Sequence, residues 1–127
     1  MKVYTTDRIR NVVVLGHGGS GKTSLVEALA YMGGITSRLG RVAEGNTISD
    51  FDKEEIKRKF SINTSVVPVI WGDVKLNILD TPGYFDFAGE AEEAASAADA
   101  AIIVVSGKNG VEVGTQKAWA LCEKYKL

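Results

Sequence analysis

Residues Gly16-His17-Gly18-Gly19-Ser20-Gly21-Lys22-Thr23 carry the spacing Gly-x4-Gly-Lys-Ser/Thr. That spacing suits a polyphosphate. Glycines let successive backbone N–H groups turn inward around phosphate oxygens, and a following helix adds the positive end of its dipole. Lys22 brings a point charge toward the β- and γ-phosphates, and Thr23 offers a hydroxyl to Mg²⁺. Ser24 follows directly and completes the cradle. The plainer reading is a glycine-rich turn. The flanks argue against it: Val12-Val13-Val14-Leu15 reads as a strand and Leu25-Val26-Glu27-Ala28-Leu29-Ala30 as a helix, which is the context the phosphate loop requires.

Asp80-Thr81-Pro82-Gly83 is the second candidate. It ends the apolar run Val74-Lys75-Leu76-Asn77-Ile78-Leu79. A carboxylate at the end of such a strand can hold Mg²⁺. Gly83 can bring a backbone N–H close to a γ-phosphate because it has no Cβ. Alone, this tetrapeptide is only a turn; after a phosphate loop and a long connection it reads as functional. His17 is the sole histidine, and in such a loop it reads as a packing or hydrogen-bonding group before a catalyst.

The elements that position these residues follow from patterning. Residues 10–15 read as a buried parallel strand, and a helix is predicted over 22–32, stopped by Gly33-Gly34. Residues 35–60 have no clean period, and a connection that long is functional or mobile. Within it, residues 52–59 predict a solvated helical turn, with Glu54 at helical spacing from Lys57 and Arg58, inside a segment ordered by a ligand. Two apolar runs, 62–71 and 74–79, flank Gly72-Asp73 and predict a β-hairpin. A helix is expected over 89–98, with Glu90, Glu92 and Glu93 in its first turn. Residues 100–105 read as a second fully buried strand, and 115–125 as a last helix with Thr115 as its N-cap. The order β–α–loop–β–β–α–β–α implies an α/β fold. It should be a three-layer sandwich resembling that of P-loop NTPases, a mostly parallel sheet with one antiparallel edge strand. In such folds the 100–105 strand is interior, so this chain reads as the front part of a larger domain. An open apolar edge there predicts self-association.

Composition narrows the classes. The chain has 127 residues, 45% hydrophobic, with net charge −1, so it is one domain or part of one and has no bulk field toward nucleic acid or membrane. The single Cys122 makes no internal disulfide and suits a reducing cytoplasm as a buried, inert thiol. No apolar signal core or membrane-length run is present in the sequence, and no membrane partner is expected.

Taken with Arg10-Asn11, Gly45 through Asp50-Phe51, Arg58 to Ser61, Asp86-Phe87, Glu90 and Gly110-Val111-Glu112, these motifs resemble the N-terminal part of the GTP-binding domain of elongation factor G-like translational GTPases. The resemblance covers about residues 8–127. It implies GTP/GDP and Mg²⁺ as ligands, a first switch over about 35–65 and a second over about 80–93. It also implies the ribosome as partner, through large-subunit rRNA and the full-length protein. Ser61 takes the place of the Thr that binds Mg²⁺ in the family's Arg-Gly-Ile-Thr context, here Arg58-Lys59-Phe60-Ser61. Gly19 replaces a common Asp beside the phosphates. Tyr84 replaces the His of Asp-Thr-Pro-Gly-His, and a phenol with pKa near 10 orients water by hydrogen bonding but is no ready base. These departures resemble the divergent bacterial subgroup of elongation factor G-like proteins. The guanine-reading Asn-Lys-x-Asp motif is not in these residues, so guanine is implied by the family alone.

Three readings compete. The first is a ribosome-dependent GTPase, with Lys22, Gly83 and Tyr84 at the reacting phosphate. The second is a slow-hydrolysing GTP-dependent regulatory switch or binding module. The third, a P-loop ATPase, has no support from the translation-factor residues.

Overall fold

A computed structural model describes residues 3–127. Four strands, β1 (Ile9–Gly16), β2 (Ser65–Trp71), β3 (Val74–Asp80) and β4 (Ala100–Val104), form one sheet in the order β2-β3-β1-β4. β1 runs parallel to β3 and β4, whereas β2 runs antiparallel to β3 across the Gly72-Asp73 turn. The helices are α1 (Lys22–Met32), α2 (Lys53–Arg58), α3 (Ala88–Ser96) and α4 (Val113–Tyr125).

Side chains alternate across a strand, and β1 uses both faces. Val14 packs with Val26 and Ala30 of α1 and with Val67, Val69 and Ile78. Val13 and Leu15 pack on the other face with Leu79, Ala94 of α3 and Ala118 of α4. Helices therefore cover both sides of the sheet, the three-layer α/β arrangement expected from the sequence. Pro68 sits in β2 at the sheet margin, where a missing N–H is tolerated.

Several expectations need correction. Glu112, not Thr115, is the N-cap of α4; Thr115 stands three residues inside, where its Oγ1 accepts the Glu112 N–H at 3.2 Å. Only Glu90 lies in the first turn of α3, because the helix begins at Ala88. Glu92 instead reaches α4, accepting from Lys124 and, at 3.1 Å, from the Tyr125 hydroxyl. β4 is not fully buried. It lies at the sheet edge, and Ile102 is 38% exposed. Cys122 is partly buried, and burial pushes its thiol up.

The 35–65 stretch has supports of its own, which the expectation of ordering by a ligand left out. Glu27, on α1, is buried and accepts from Gly40 N–H at 2.9 Å and Ile48 N–H at 2.8 Å. Glu55, buried on α2, accepts from Ile62 and Asn63 N–H at 3.0 Å each and from Asp52 N–H at 3.1 Å. From α3, Glu90 accepts the Thr64 N–H at 2.7 Å, and the Thr64 hydroxyl donates to the Glu90 carbonyl at 3.2 Å. Among the described residues no helix is long and apolar enough to cross a membrane.

Candidate phosphate and metal site

β1 ends at Gly16, and the chain loops through 17–21 before α1 begins at Lys22. The loop needs its glycines. Gly19 and Gly21 have φ of +77° and +103°, a region costly for L side chains. Any Cβ at Gly83 would stand 2.2 Å from Lys22 Nζ and 2.7 Å from Gly18 N. The Asp80–Gly83 turn therefore lies directly against the loop. Thr81 holds it there, its hydroxyl donating to the Val14 carbonyl at 2.6 Å.

A cleft of about 220 Å³ opens above the loop. Gly18, Gly19, Gly21, Lys22, Thr23, Ser24, Ser61, Gly83 and Tyr84 all line it, so the structure brings most of the sequence-derived candidates together. Lys22 is only 5% exposed, and its ammonium donates to the Gly16 and His17 carbonyls at 3.2 and 2.9 Å. Burial lowers its pKa, and the nearby Asp80 opposes that. Four candidates do not line the cleft, and of these Asp80 lies behind it, reached through the Thr23 hydroxyl. Gly16 passes under the Val104 carbonyl, where a Cβ would clash at 2.4 Å. Ser20 shapes the turn by donating its N–H to the His17 carbonyl at 3.2 Å. The His17 ring turns to α4, where Nδ1 accepts the Gly114 N–H at 3.2 Å and Nε2 lies 3.6 Å from Glu112 Oε1. An accepting Nδ1 puts the proton of the neutral ring on Nε2.

Behind the loop, four oxygen-bearing side chains converge. The Thr23 hydroxyl donates to Asp80 Oδ2 at 2.9 Å, and the Ser61 hydroxyl donates to Asp50 Oδ1 at 2.6 Å. The two hydroxyl oxygens also stand 3.1 Å apart. Each hydroxyl has one proton. With both given to ionised carboxylates, the close O···O approach has none. Asp80 Oδ1 and Asp50 Oδ2 are buried without a hydrogen-bond partner. Burial pushes Asp80 up to about 6, offset in part by hydroxyl neighbours, and burial likewise raises Asp50 against the Ser61 hydrogen bond. A set of hard oxygens short of a proton, with two orphaned carboxylate atoms, fits Mg²⁺, which takes oxygen ligands. Among the described residues no three His, Cys, Asp or Glu gather as a metal site, so a cation here draws on hydroxyls as well as carboxylates.

Tyr84 is 47% exposed. Its ring covers Gly18, where a Cβ would meet it at 3.2 Å, and tilts against Phe60 with centroids 4.6 Å apart. Sequence reasoning missed three contributors: Asp50, Lys59 and Phe60. Asp50 and Phe60 fell within stretches that carry the family resemblance, but neither belongs to a spacing that names a ligand or a stacking partner. Lys59 read as part of a solvated charged turn, yet it lines the cleft.

The family model described as the elongation factor Tu GTP binding domain matches residues 7–127. An elongation factor G-like protein of Mycobacterium tuberculosis is 41% identical over 116 residues, covering 91% of this chain and 16% of that protein. The mitochondrial ribosome-releasing factor 2 of Drosophila melanogaster is 38% identical over 122 residues, covering 96% of this chain and 16% of that protein. A crystal structure of a Thermus thermophilus protein superposes with a TM-score of 0.89 at 45% identity, covering 92% of this chain and 18% of that one. The chain thus spans about a sixth of the length of the curated relatives it matches.

Proposed function

This chain belongs to the elongation factor Tu GTP binding domain family, and from that premise we propose that it binds GTP and GDP with Mg²⁺ and hydrolyses GTP in an elongation factor G-like translation factor. The observation that carries this is that Lys22, Thr23 and Ser61 line one glycine-rich cleft, with the buried Asp80 carboxylate hydrogen-bonded to Thr23 directly behind it. Loop N–H groups hold the phosphates. Lys22 exchanges the Gly16 and His17 carbonyls for phosphate oxygens. Thr23, Ser61 and Asp80 hold Mg²⁺, with Asp50 fixing the Ser61 hydroxyl. The ion neutralises charge on the phosphates when bound. Gly83 gives its N–H to the γ-phosphate, and Tyr84 orients the attacking water. Residues 35–65 and 80–93 serve as the two switches. The same reading assigns the ribosome, through large-subunit rRNA, as the partner of the whole protein, and the cytoplasm as its place.

One observation favours the slow regulatory switch over the efficient enzyme. The Tyr84 ring is already engaged against Gly18 and Phe60, so reorienting it toward water works against existing contacts.

The test is Mg²⁺-dependent binding of GTP and ATP to the intact protein, with and without Lys22→Ala. Preference for GTP, lost by at least about tenfold in affinity in the variant, supports the reading. Equal binding of ATP overturns the guanine assignment, and unchanged affinity in the variant overturns the phosphate site.

A further inference from the structure

Lys59 is held in an unusual way for an exposed lysine. It ends α2 with φ +59°, in the left-handed region that favours glycine, and its N–H donates to the Glu55 carbonyl at 2.7 Å. Among the described residues one other non-glycine adopts this region, Lys126 at the end of α4. Both lysines complement a helix C-terminus, but Lys126 lines no part of the nucleotide cleft. Lys59 does, on the same chain segment as Phe60 and Ser61, and the lining also includes Gly18, Gly19 and Lys22 of the loop. No carboxylate pairs with the Lys59 ammonium among the described residues. Its segment is fixed on both sides. Glu55 holds the amides of Ile62 and Asn63, and Phe60 packs on Tyr84.

In the same lining, Gly19 leaves open space where a side chain would otherwise project. A long, unpaired cation thus borders an anion-binding cleft beside Gly83 and Tyr84, on a backbone conformation that glycine would adopt at lower cost. We propose that Lys59 is a second phosphate-contacting cation, which reaches the terminal phosphate of a nucleoside triphosphate in the cleft it shares with Lys22 and so favours the triphosphate over the diphosphate. This rests on the nucleotide reading above. Its chemistry is that of a flexible ammonium acting as a point charge on phosphate oxygens.

The experiment compares the intact protein with Lys59→Gly, Lys59→Arg and Lys22→Ala, measuring affinity for a non-hydrolysable GTP analogue and for GDP, together with Tm. Lys59→Gly should weaken the triphosphate analogue about tenfold, leave GDP unchanged and raise Tm by relieving the backbone. Lys59→Arg should keep the triphosphate preference. A raised Tm with an unchanged triphosphate-to-diphosphate ratio means that Lys59 is only a helix cap, and overturns the proposal. If Lys22→Ala retains full affinity for both nucleotides, the nucleotide reading itself fails, and the two failures are thereby separated.

Discussion

Asp80 is stabilised poorly by the fold that surrounds it. Its carboxyl is pushed from 3.8 up to about 6 by burial. Between those values the folded chain holds a proton that the unfolded chain has released. The metal-free fold is therefore helped by this group at low pH, and that help is lost as pH rises through about 6. Above the window the ionised form costs about 3 kcal/mol. Asp80→Asn should raise Tm at pH 7.5 without Mg²⁺, give no gain near pH 4, and abolish the Mg²⁺ dependence of nucleotide affinity; a fall in Tm at pH 7.5 would contradict this account. At Tyr84 the prediction concerns rate. Tyr84→His should increase GTP turnover stimulated by ribosomes, by about tenfold or more, and a turnover assay showing no rise would mean that this position does not limit hydrolysis. Lys22, Thr23 and Asp80 were legible in the sequence because their spacing is fixed by a short loop and a strand end. Asp50 was not, because its link to Ser61 spans a segment without periodicity.

At the scale of elements, the strands and long helices could be read from apolar runs and turn residues. Gly33-Gly34 stops α1, and Gly72-Asp73 closes the hairpin. The path of residues 35–65 could not be read that way. Its order comes from Glu27 and Glu55, whose partners lie 13 and 21 residues away for Glu27 and 7 and 8 for the longer reaches of Glu55. A charged residue in a helix ordinarily reads as a solvated face, so neither carboxylate announces that it is buried beneath a loop. Glu27→Ala should leave the buried Gly40 amide and the partly buried Ile48 amide unpaired, destabilise the fold by about 2–4 kcal/mol and speed hydrogen exchange at those two amides. Unchanged protection there would show that the loop is held by something else.

For the molecule as a whole, β4 is paired among the described residues on one side only, to β1, and an unpaired apolar edge templates association. This chain should self-associate as its concentration is raised, and Ile102→Lys should weaken that association. Sedimentation that stays monomeric throughout would refute it. The 35–65 stretch is also tied to α3, where Thr64 is clasped by Glu90. A linkage of that kind is reciprocal. A displacement of α3 that breaks these two hydrogen bonds would loosen the stretch that carries Ser61, and a ligand that fixes that stretch would resist the displacement by the same free energy. The 35–65 stretch and the segment that runs from Tyr84 into α3 are thereby two ends of one lever, joined at the Phe60–Tyr84 ring contact and at the two Thr64–Glu90 hydrogen bonds.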